Sequence, residues 1–519
     1  MAPGANRLLS ALDTSNLHHR CFSLCNALIE AGLFAPRPGA QAPSSPDQDA
    51  VHTSWRIGAE PLAVTPEQLA FFQTLGTQLL SFYRALNHLY AESARGSQPA
   101  WIAAYLDQGK PDGLITYSRM KRFRDHLPAV IRPDVIPTPD GMVITELDSV
   151  PGGIGLTAAL SRAYADVLHH SSRGDGESTP GDPGSSTLHA ARCTSHAREI
   201  VGGRDGMIDG FAAMLREQRG HQHAGAIAIV VSEEAKDYRP EMTWMAHELS
   251  ARGLETHCIE PRQIRFTEEG LLITTAGRSI PVGLIYRFYE LFDLPNIPKA
   301  ELVQYAAKKD LVSVTPPYKP ALEEKSAFAL LHHPVLHPYW QTALGNDLFL
   351  HLTTIMPRTW FLDPAPIPPS AVIPGLSIGG RAAMKWSDLA AATQKERHFV
   401  IKPSGFSELA WGSRGVSVGH DLPQNAWAAA IDAALKAFPH TPYVLQEFHK
   451  GRQYQLDYFD PVTGEMHTMA GRARLSPYYF VTGEKAELAG ILATICPADK
   501  KLIHGMKDAV MVPCVVAGQ

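Results

Sequence analysis

A chain of 519 residues exceeds what one hydrophobic core organises, so about three domains are expected. With 45% hydrophobic residues, 19% charged residues and a formal net charge of −5, the composition is that of a globular protein. It offers neither the basic surface that nucleic acid or an anionic membrane would need nor an apolar run of membrane-spanning length.

The first 120 residues read as a helical N-terminal region. A helix is expected over 6–35, followed by a Pro/Ser/Ala-rich linker over 36–54. The beginning, "MAPGANRLLSALDTS", lacks the charged start and long apolar centre of a secretory signal. The six cysteines are sparse and scattered, as reduced thiols would be. Both features point to the cytoplasm. From Thr65 to about Ser93 apolar residues recur at helical spacing, with Thr65 at the N-cap and Pro66 at the first helical position.

The stretch 130–153, "VIRPDVIPTPDGMVITELDSVPGG", reads as a hairpin turning at Pro137, Pro139, Asp140 and Gly141. Its strands carry Arg132 and Asp134, then Glu146 and Asp148. Each pair sits two residues apart and so projects from one face of its strand. Three carboxylates and a guanidinium can therefore converge. A solvated acidic face with one internal salt bridge would have the same appearance. An apolar helix follows to about Leu168, and 169–198 holds a low-complexity insertion ("HHSSRGDGESTPGDPGSSTLHA").

A second unit spans 199–310. "AIAIVVS" has the all-apolar character of a central parallel strand, a helix fits 238–253, and "ETHCIEP" reads as the next strand. Strand–helix–strand order predicts a right-handed βαβ unit of an α/β domain. "LLITTAGRSIPVGLIYRFYE" reads as a hairpin running into a further strand. The remainder, 311–519, opens with a helix at 321–331. It continues through the strand "HFVIKP" (398–403), a glycine-rich loop, a helix at 425–437, and the strands "YVLQEF" and "QYQLDYF".

Two segments of this last part carry further candidates. In "HFVIKPSGFSELAWGSRGVSVG" Lys402 ends an apolar strand, and the loop after it holds Gly412, Ser413, Arg414 and Gly415. Such a loop lets backbone N–H groups approach phosphate oxygens, with the lysine and arginine supplying charge. It matches neither the P-loop nor the dinucleotide pattern. A surface loop beside a solvated lysine remains open as the alternative. In "PYVLQEFHKGRQYQLDYFD", Gln446 and Glu447 end a strand whose edge could read an adenine amino group, or merely place a charge at an edge.

The order "VIKP", glycine loop, "VLQEF" resembles the nucleotide-binding half of the ATP-grasp ligases. The acidic metal motif that those enzymes carry near the C-terminus is absent after Glu447. "ELDSVPGG" stands upstream instead, as in a circularly permuted domain. Arg132-x-Asp134, followed twelve residues later by Glu146-x-Asp148, is similar to the synthetase domain of the glutathionylspermidine synthetases. "KPALEEKSAFALLHHP" resembles that family's helix bearing the earlier phosphate lysine, which falls on Lys325.

The resemblance implies a circularly permuted ATP-grasp fold of α/β (α+β) class. The metal and substrate-binding part would be 121–168, a Rossmann-like pre-ATP-grasp domain 199–310, and the ATP-binding part 311–519. It implies an ADP-forming carboxylate–amine ligase that works through an acyl phosphate. Lys325, Lys402, the glycine loop, Gln446 and Glu447 would bind ATP. Asp134, Glu146 and Asp148 would bind Mg2+, in two ions, and Arg132 would be catalytic. A second catalytic arginine falls on Arg472 or Arg474, with Arg472 the better aligned. The partners implied are a small-molecule or peptide carboxylate and an amine. Asp148 departs from the family's asparagine. The gap between Lys325 and Lys402 implies an insertion near "DPAPIPPSAVIPGLSIGG", and no amidase domain is recognisable in the first 120 residues. A catalytically inactive ATP-binding regulatory or scaffold protein is the alternative.

Overall fold

Thr65 starts the longest fully described helix by accepting a hydrogen bond from the Gln68 amide while the Gln68 side chain returns to the Thr65 N–H. This reciprocal cap, with Pro66 at the first helical position, nucleates Pro66–Arg95, and Gly96 ends it at φ +84°. The computed structural model describes residues 3–35, 55–173, 199–275, 277–368, 371–500, 503 and 508–517. The expected linker 36–54 and most of the expected insertion 169–198 lie outside the described residues. The first helix is Pro3–Glu30.

The hairpin at 130–148 consists of antiparallel strands Val130–Thr138 and Gly141–Asp148, with Arg132 opposite Asp148 and Asp134 opposite Glu146. It forms one edge of an eight-stranded sheet whose other long strands come from the far end of the chain. Val135 lies opposite Leu475 on the strand Glu465–Thr482, which pairs on its other edge with Lys485–Pro497. Val510–Val516 and the short strand Arg56–Gly58 follow in the sheet. Gln453–Asp460 pairs with both Arg56–Gly58 and Glu465–Thr482, so five of the strands close into a ring.

The inner face of this sheet (Ala473, Leu475, Tyr479, Ala493, Val510) packs with Phe72, Leu75, Leu79 and Phe82 of the long helix in the largest core. Burial of these large side chains contributes roughly 1.5–3 kcal/mol each, which far outweighs the intrinsic helix preference.

Residues 199–310 supply five strands of a six-stranded sheet, and Ser313–Thr315 is the sixth. Ala226–Val231 lies between the parallel strands Thr256–Ile259 and Arg278–Phe288, and an antiparallel hairpin extends the latter. The expected helix over 238–253 is Arg239–Ala251.

In the last part, Thr359–Phe361, Tyr443–Glu447, Phe399–Pro403 and Ser417–Val418 form a four-stranded antiparallel sheet. The expected helix at 321–331 is split into a 3-10 turn, Pro320–Leu322, and a short helix, Ala327–His332. Lys325 sits at the break. Between Lys325 and Lys402 lie, among others, the helices His337–Leu344 and Asn346–Ile355. Trp340 of the first is fully buried and stacks on Phe82 at 5.5 Å. No described helix is long and apolar enough to cross a membrane.

Candidate active site

Strand alternation sets the side chains of the site. Arg132 and Asp134, Glu146 and Asp148, and Arg474, Ser476 and Tyr478 all fall on one face of the eight-stranded sheet and line a cavity of about 410 Å³. Lys325, Gly412 and Ser413 line the same cavity from the last part of the chain. Tyr238 and Glu241 line it from the central unit.

Each of the three carboxylates is tied to a cation. Arg132 Nη2 lies 3.3 Å from Asp134 Oδ1 and 3.0 Å from Asp148 Oδ2. Asp134 also accepts from Arg474 Nη1 at 3.0 Å and from the Ser476 hydroxyl at 3.1 Å. Glu146 Oε1 is 2.8 Å from Lys325 Nζ. Among the described residues no three His, Cys, Asp or Glu side chains form a ready metal cluster. The three acids expected to crowd one another are instead spaced by positive charge.

Electrostatics separate these acids. Burial acts to raise the Glu146 carboxyl, but Lys325 and then Lys402 overcome it and hold it at about 2. Asp148 is pushed upward by burial, with Arg132 opposing and Glu146 adding to the rise. Lys325 is held above its usual range because Glu146 outweighs the cost of burial. Lys402 goes the other way, lowered to about 8 by burial and by its neighbour Lys325, against the pull of Glu146.

Lys402 lies behind Glu146. It donates to the carbonyl of Thr145 at 2.9 Å and to Gln446 Oε1 at 2.8 Å. Gln446 is buried, and its amide nitrogen is 3.3 Å from Thr359 Oγ1. The Gln446 side chain, expected to face adenine, is thus engaged in holding Lys402. Two-residue periodicity cannot reveal which neighbour claims a strand-end amide.

The turn "PGG" has a steric cause. A Cβ on Gly152 would lie 2.2 Å from the Tyr238 ring; one on Gly153, at φ +88°, would lie 2.5 Å from the Tyr478 hydroxyl. The Gly152 carbonyl accepts from Tyr478 at 2.7 Å. Helix Ile154–Arg173 starts at this turn, and Glu241 caps it by accepting from Gly153 N at 2.7 Å and Leu156 N at 2.8 Å. Burial pushes the Glu241 carboxyl up to about 7, against these two hydrogen bonds.

The glycine loop is anchored at its start by Glu324, which accepts from Ser404 Oγ at 2.6 Å and from Gly405 N at 3.2 Å. Glu324 also forms a fully buried ion pair with Lys110. One acid therefore joins the loop, the Lys325 segment and the N-terminal helical region.

Several expected residues fall elsewhere. Arg472 does not line the cavity: it donates to the Ala498 carbonyl, and the neighbouring Arg474 is the one that reaches Asp134. Both arginines share a strand face, so alignment alone did not separate them. Pairing of Ser476 with Asp134 across two strands does. Arg414 points instead to Glu234, at 3.2 Å, and Gly415 and Glu447 are not cavity-lining. Sequence reasoning did not find Ser476, Tyr478, Glu241, Glu290 or Glu323. Only the alternation Arg474-x-Ser476-x-Tyr478 carried a local signal.

The site thus lies on an eight-stranded sheet, with acids, lysines and arginines converging on it from the α/β unit and from the last part of the chain. The chain adopts the fold of a glutathione synthetase-like effector from Globodera pallida in its apo form. The two share 11% sequence identity at a TM-score of 0.54, over 96% of this chain and 97% of that one. A putative gamma-glutamylcysteine synthetase from Methylobacillus flagellatus aligns more weakly, at 9% identity and a TM-score of 0.35 over 83% and 87% of the two chains. No protein-family model and no curated protein sequence matches the chain.

Proposed function

We infer that the chain is an ADP-forming carboxylate–amine ligase of the ATP-grasp type, with its domain circularly permuted. The observation that carries this reading is the meeting of three distant segments at Glu146. Lys325 pairs with its carboxylate, Lys402 bonds the carbonyl of Thr145 beside it, and Arg132 stands on the neighbouring strand. Cations drawn together around an acid that stays ionised suit the handling of phosphate and metal.

In this reading Lys325 and Lys402 hold ATP phosphates, and the backbone of Gly412 and Ser413, which line the cavity, faces them. Gln446 orients Lys402, and Glu447 borders the adenine. The oxygens of Asp134, Glu146 and Asp148 fit a hard divalent cation by donor chemistry, since all three project from one sheet face. Magnesium, when bound, supplies positive charge against the transferring phosphoryl group. Arg132 and Arg474 orient the acceptor carboxylate and stabilise its developing acyl phosphate.

The permuted order draws support from the pairing of the early hairpin with Glu465–Thr482. Residues 121–168 and 311–519 then form one ATP-grasp domain, with 199–310 as its pre-ATP-grasp partner, in a cytoplasmic enzyme. Likeness in fold to a protein described as glutathione synthetase-like supports the ligase class.

The test is ADP release with Mg-ATP across a matrix of amino acids, peptides and polyamines. Release that needs both a carboxylate and an amine supports the reading. Tight ATP binding by calorimetry, with no release for any pair, would make the chain an ATP-binding regulatory protein instead.

A further inference from the structure

The cavity is polarised along the sheet that floors it. Strand register gives the order of its side chains: Ser476 lies opposite Leu492, Arg474 opposite Thr494, and Thr494 opposite Met511. Arg56–Gly58 comes next, with Ile57 opposite Met511, and Trp55 precedes it. Ser476, Leu492, Arg474, Thr494, Met511 and Trp55 line the cavity. Charge therefore ends at Arg474. Beyond it, two strand spacings of about 4.8 Å each carry the wall to apolar side chains.

Apolar side chains from outside the sheet line the cavity as well. Leu33 and Phe34, which follow the first helix, line it together with Leu156. The rings of Phe34 and Trp55 meet edge to face at 5.0 Å. Half of the cavity would thus hold water against hydrocarbon unless a ligand covers it.

We propose that the apolar half, bounded by Phe34, Trp55, Leu492 and Met511, is a subsite for the hydrocarbon portion of the carboxylate substrate. This inference rests on the ligase reading for its carboxylate end. The substrate is then an amphipathic acid: its carboxylate meets Arg132 and Arg474, and its aliphatic or aromatic group runs over Leu492 and Met511 toward Trp55. Two strand spacings give that group a length of about 10 Å, or roughly six to eight carbon atoms. Short hydrophilic acids would leave this wall wet and bind more weakly. Phe34 and Trp55 are specificity-determining residues contributed by the N-terminal region, for which the catalytic chemistry has no other use.

The experiment uses the full chain and a series of acids (acetate, butyrate, hexanoate, octanoate, 3-phenylpropionate), with hydroxylamine as the amine. ADP release reads turnover, and calorimetry without ATP reads binding. Burial of each methylene should raise kcat/KM about fourfold until the end wall is reached. Hexanoate should exceed acetate by at least tenfold. Trp55→Ala and Phe34→Ala should flatten the series, lowering hexanoate and octanoate far more than acetate, and Trp55→Phe should restore most of the slope. Melting temperatures identify any variant that fails to fold, and Trp55→Phe then carries the comparison. A flat or falling series in both measurements overturns the subsite. Length-dependent binding that Trp55→Ala weakens, with no ADP release from any acid, upholds the subsite and overturns the ligase reading.

Discussion

Lys325 Nζ and Glu146 Oε1 stand 2.8 Å apart, joining a break between two short helices to the second strand of a hairpin 179 positions earlier in the chain. The hairpin alone suggests mutual repulsion among its acids, which would make Glu146→Gln neutral or stabilising without ligand. The pair reverses that expectation. Glu146→Gln leaves the Lys325 ammonium without its partner in a mostly buried position, while Glu146 itself is about one-third exposed. After allowance for solvent screening, the cost should be about 1–2 kcal/mol, read as a lower melting temperature without nucleotide. The same variant should lose most of the stabilisation given by Mg-ATP. A mutant that keeps the full shift would remove Glu146 from the nucleotide site.

Arg474 and Arg472 offer a sharper separation. Arg474 reaches Asp134 inside the cavity, whereas Arg472 holds the Ala498 carbonyl outside it. Arg474→Gln should lower kcat by about a hundredfold or more, the scale expected when one stabilising donor is lost from a site of charge development. Arg472→Gln should change kcat less than tenfold. ADP-release kinetics on both variants decide it, and the reverse ranking would return the catalytic role to Arg472.

The hairpin was legible because its turn residues and apolar runs are local signals, and the spacing of Arg132, Asp134, Glu146 and Asp148 fixed their shared face. What joined them to Arg474 was not. Residues 134 and 474 meet through strand pairing at a separation of 340 positions, and pairing of that kind leaves no periodic trace. Glu241 was missed for the same reason, since its helix caps another that starts some 87 residues earlier. Phe34 and Trp55 flank the stretch read as a linker, where apolar residues carry no period from which a binding wall could be inferred.

Thr494 faces the apolar half of the cavity, and its hydroxyl is buried with no hydrogen-bond partner among the described residues. Thr494→Val keeps the volume and removes the unsatisfied group. Stability should be unchanged or higher by about 1 kcal/mol, measured by urea unfolding. A loss of more than that would show that the hydroxyl has a partner.

Glu241 sets a pH dependence. Its folded carboxyl stands at about 7 against an ordinary value of 4.5, because burial disfavours the charged form. A raised acid binds more protons folded than unfolded between these values, so its contribution is fully present below about 4.5 and is lost as pH rises through 7. Across pH 5 to 8 the loss is of order 3 kcal/mol. The melting temperature of wild type should fall across this range more steeply than that of Glu241→Gln, which cannot ionise. Parallel slopes would show that Glu241 is already ionised at pH 5.

Two lysines on one segment should behave as opposites. Lys319 is buried and donates to Asn87 Oδ1, to the Arg124 carbonyl at 2.8 Å and to the His126 carbonyl at 3.1 Å. It pins the long helix Pro66–Arg95 to the loop before the hairpin, and it does not line the cavity. Lys319→Met would leave Asn87 Oδ1 and the His126 carbonyl unpaired, the Arg124 carbonyl keeping the Asn87 amide, at a cost of about 2–4 kcal/mol, yet should leave ATP affinity within about twofold. Lys325, six residues on, lines the cavity and faces Glu146. Lys325→Met removes a phosphate charge partner and should weaken ATP binding by about tenfold or more, one charge-assisted bond being worth roughly 1.5–3 kcal/mol. Its cost to the fold without nucleotide should stay below that of Lys319→Met, because Glu146 can turn toward solvent. Calorimetric titration with ATP, set beside thermal unfolding of both variants, reads the two effects independently. If Lys319→Met abolished ATP binding in a protein that still folds, the phosphate lysine would have been placed one motif too late, and Lys325 would be left as the structural partner of Glu146.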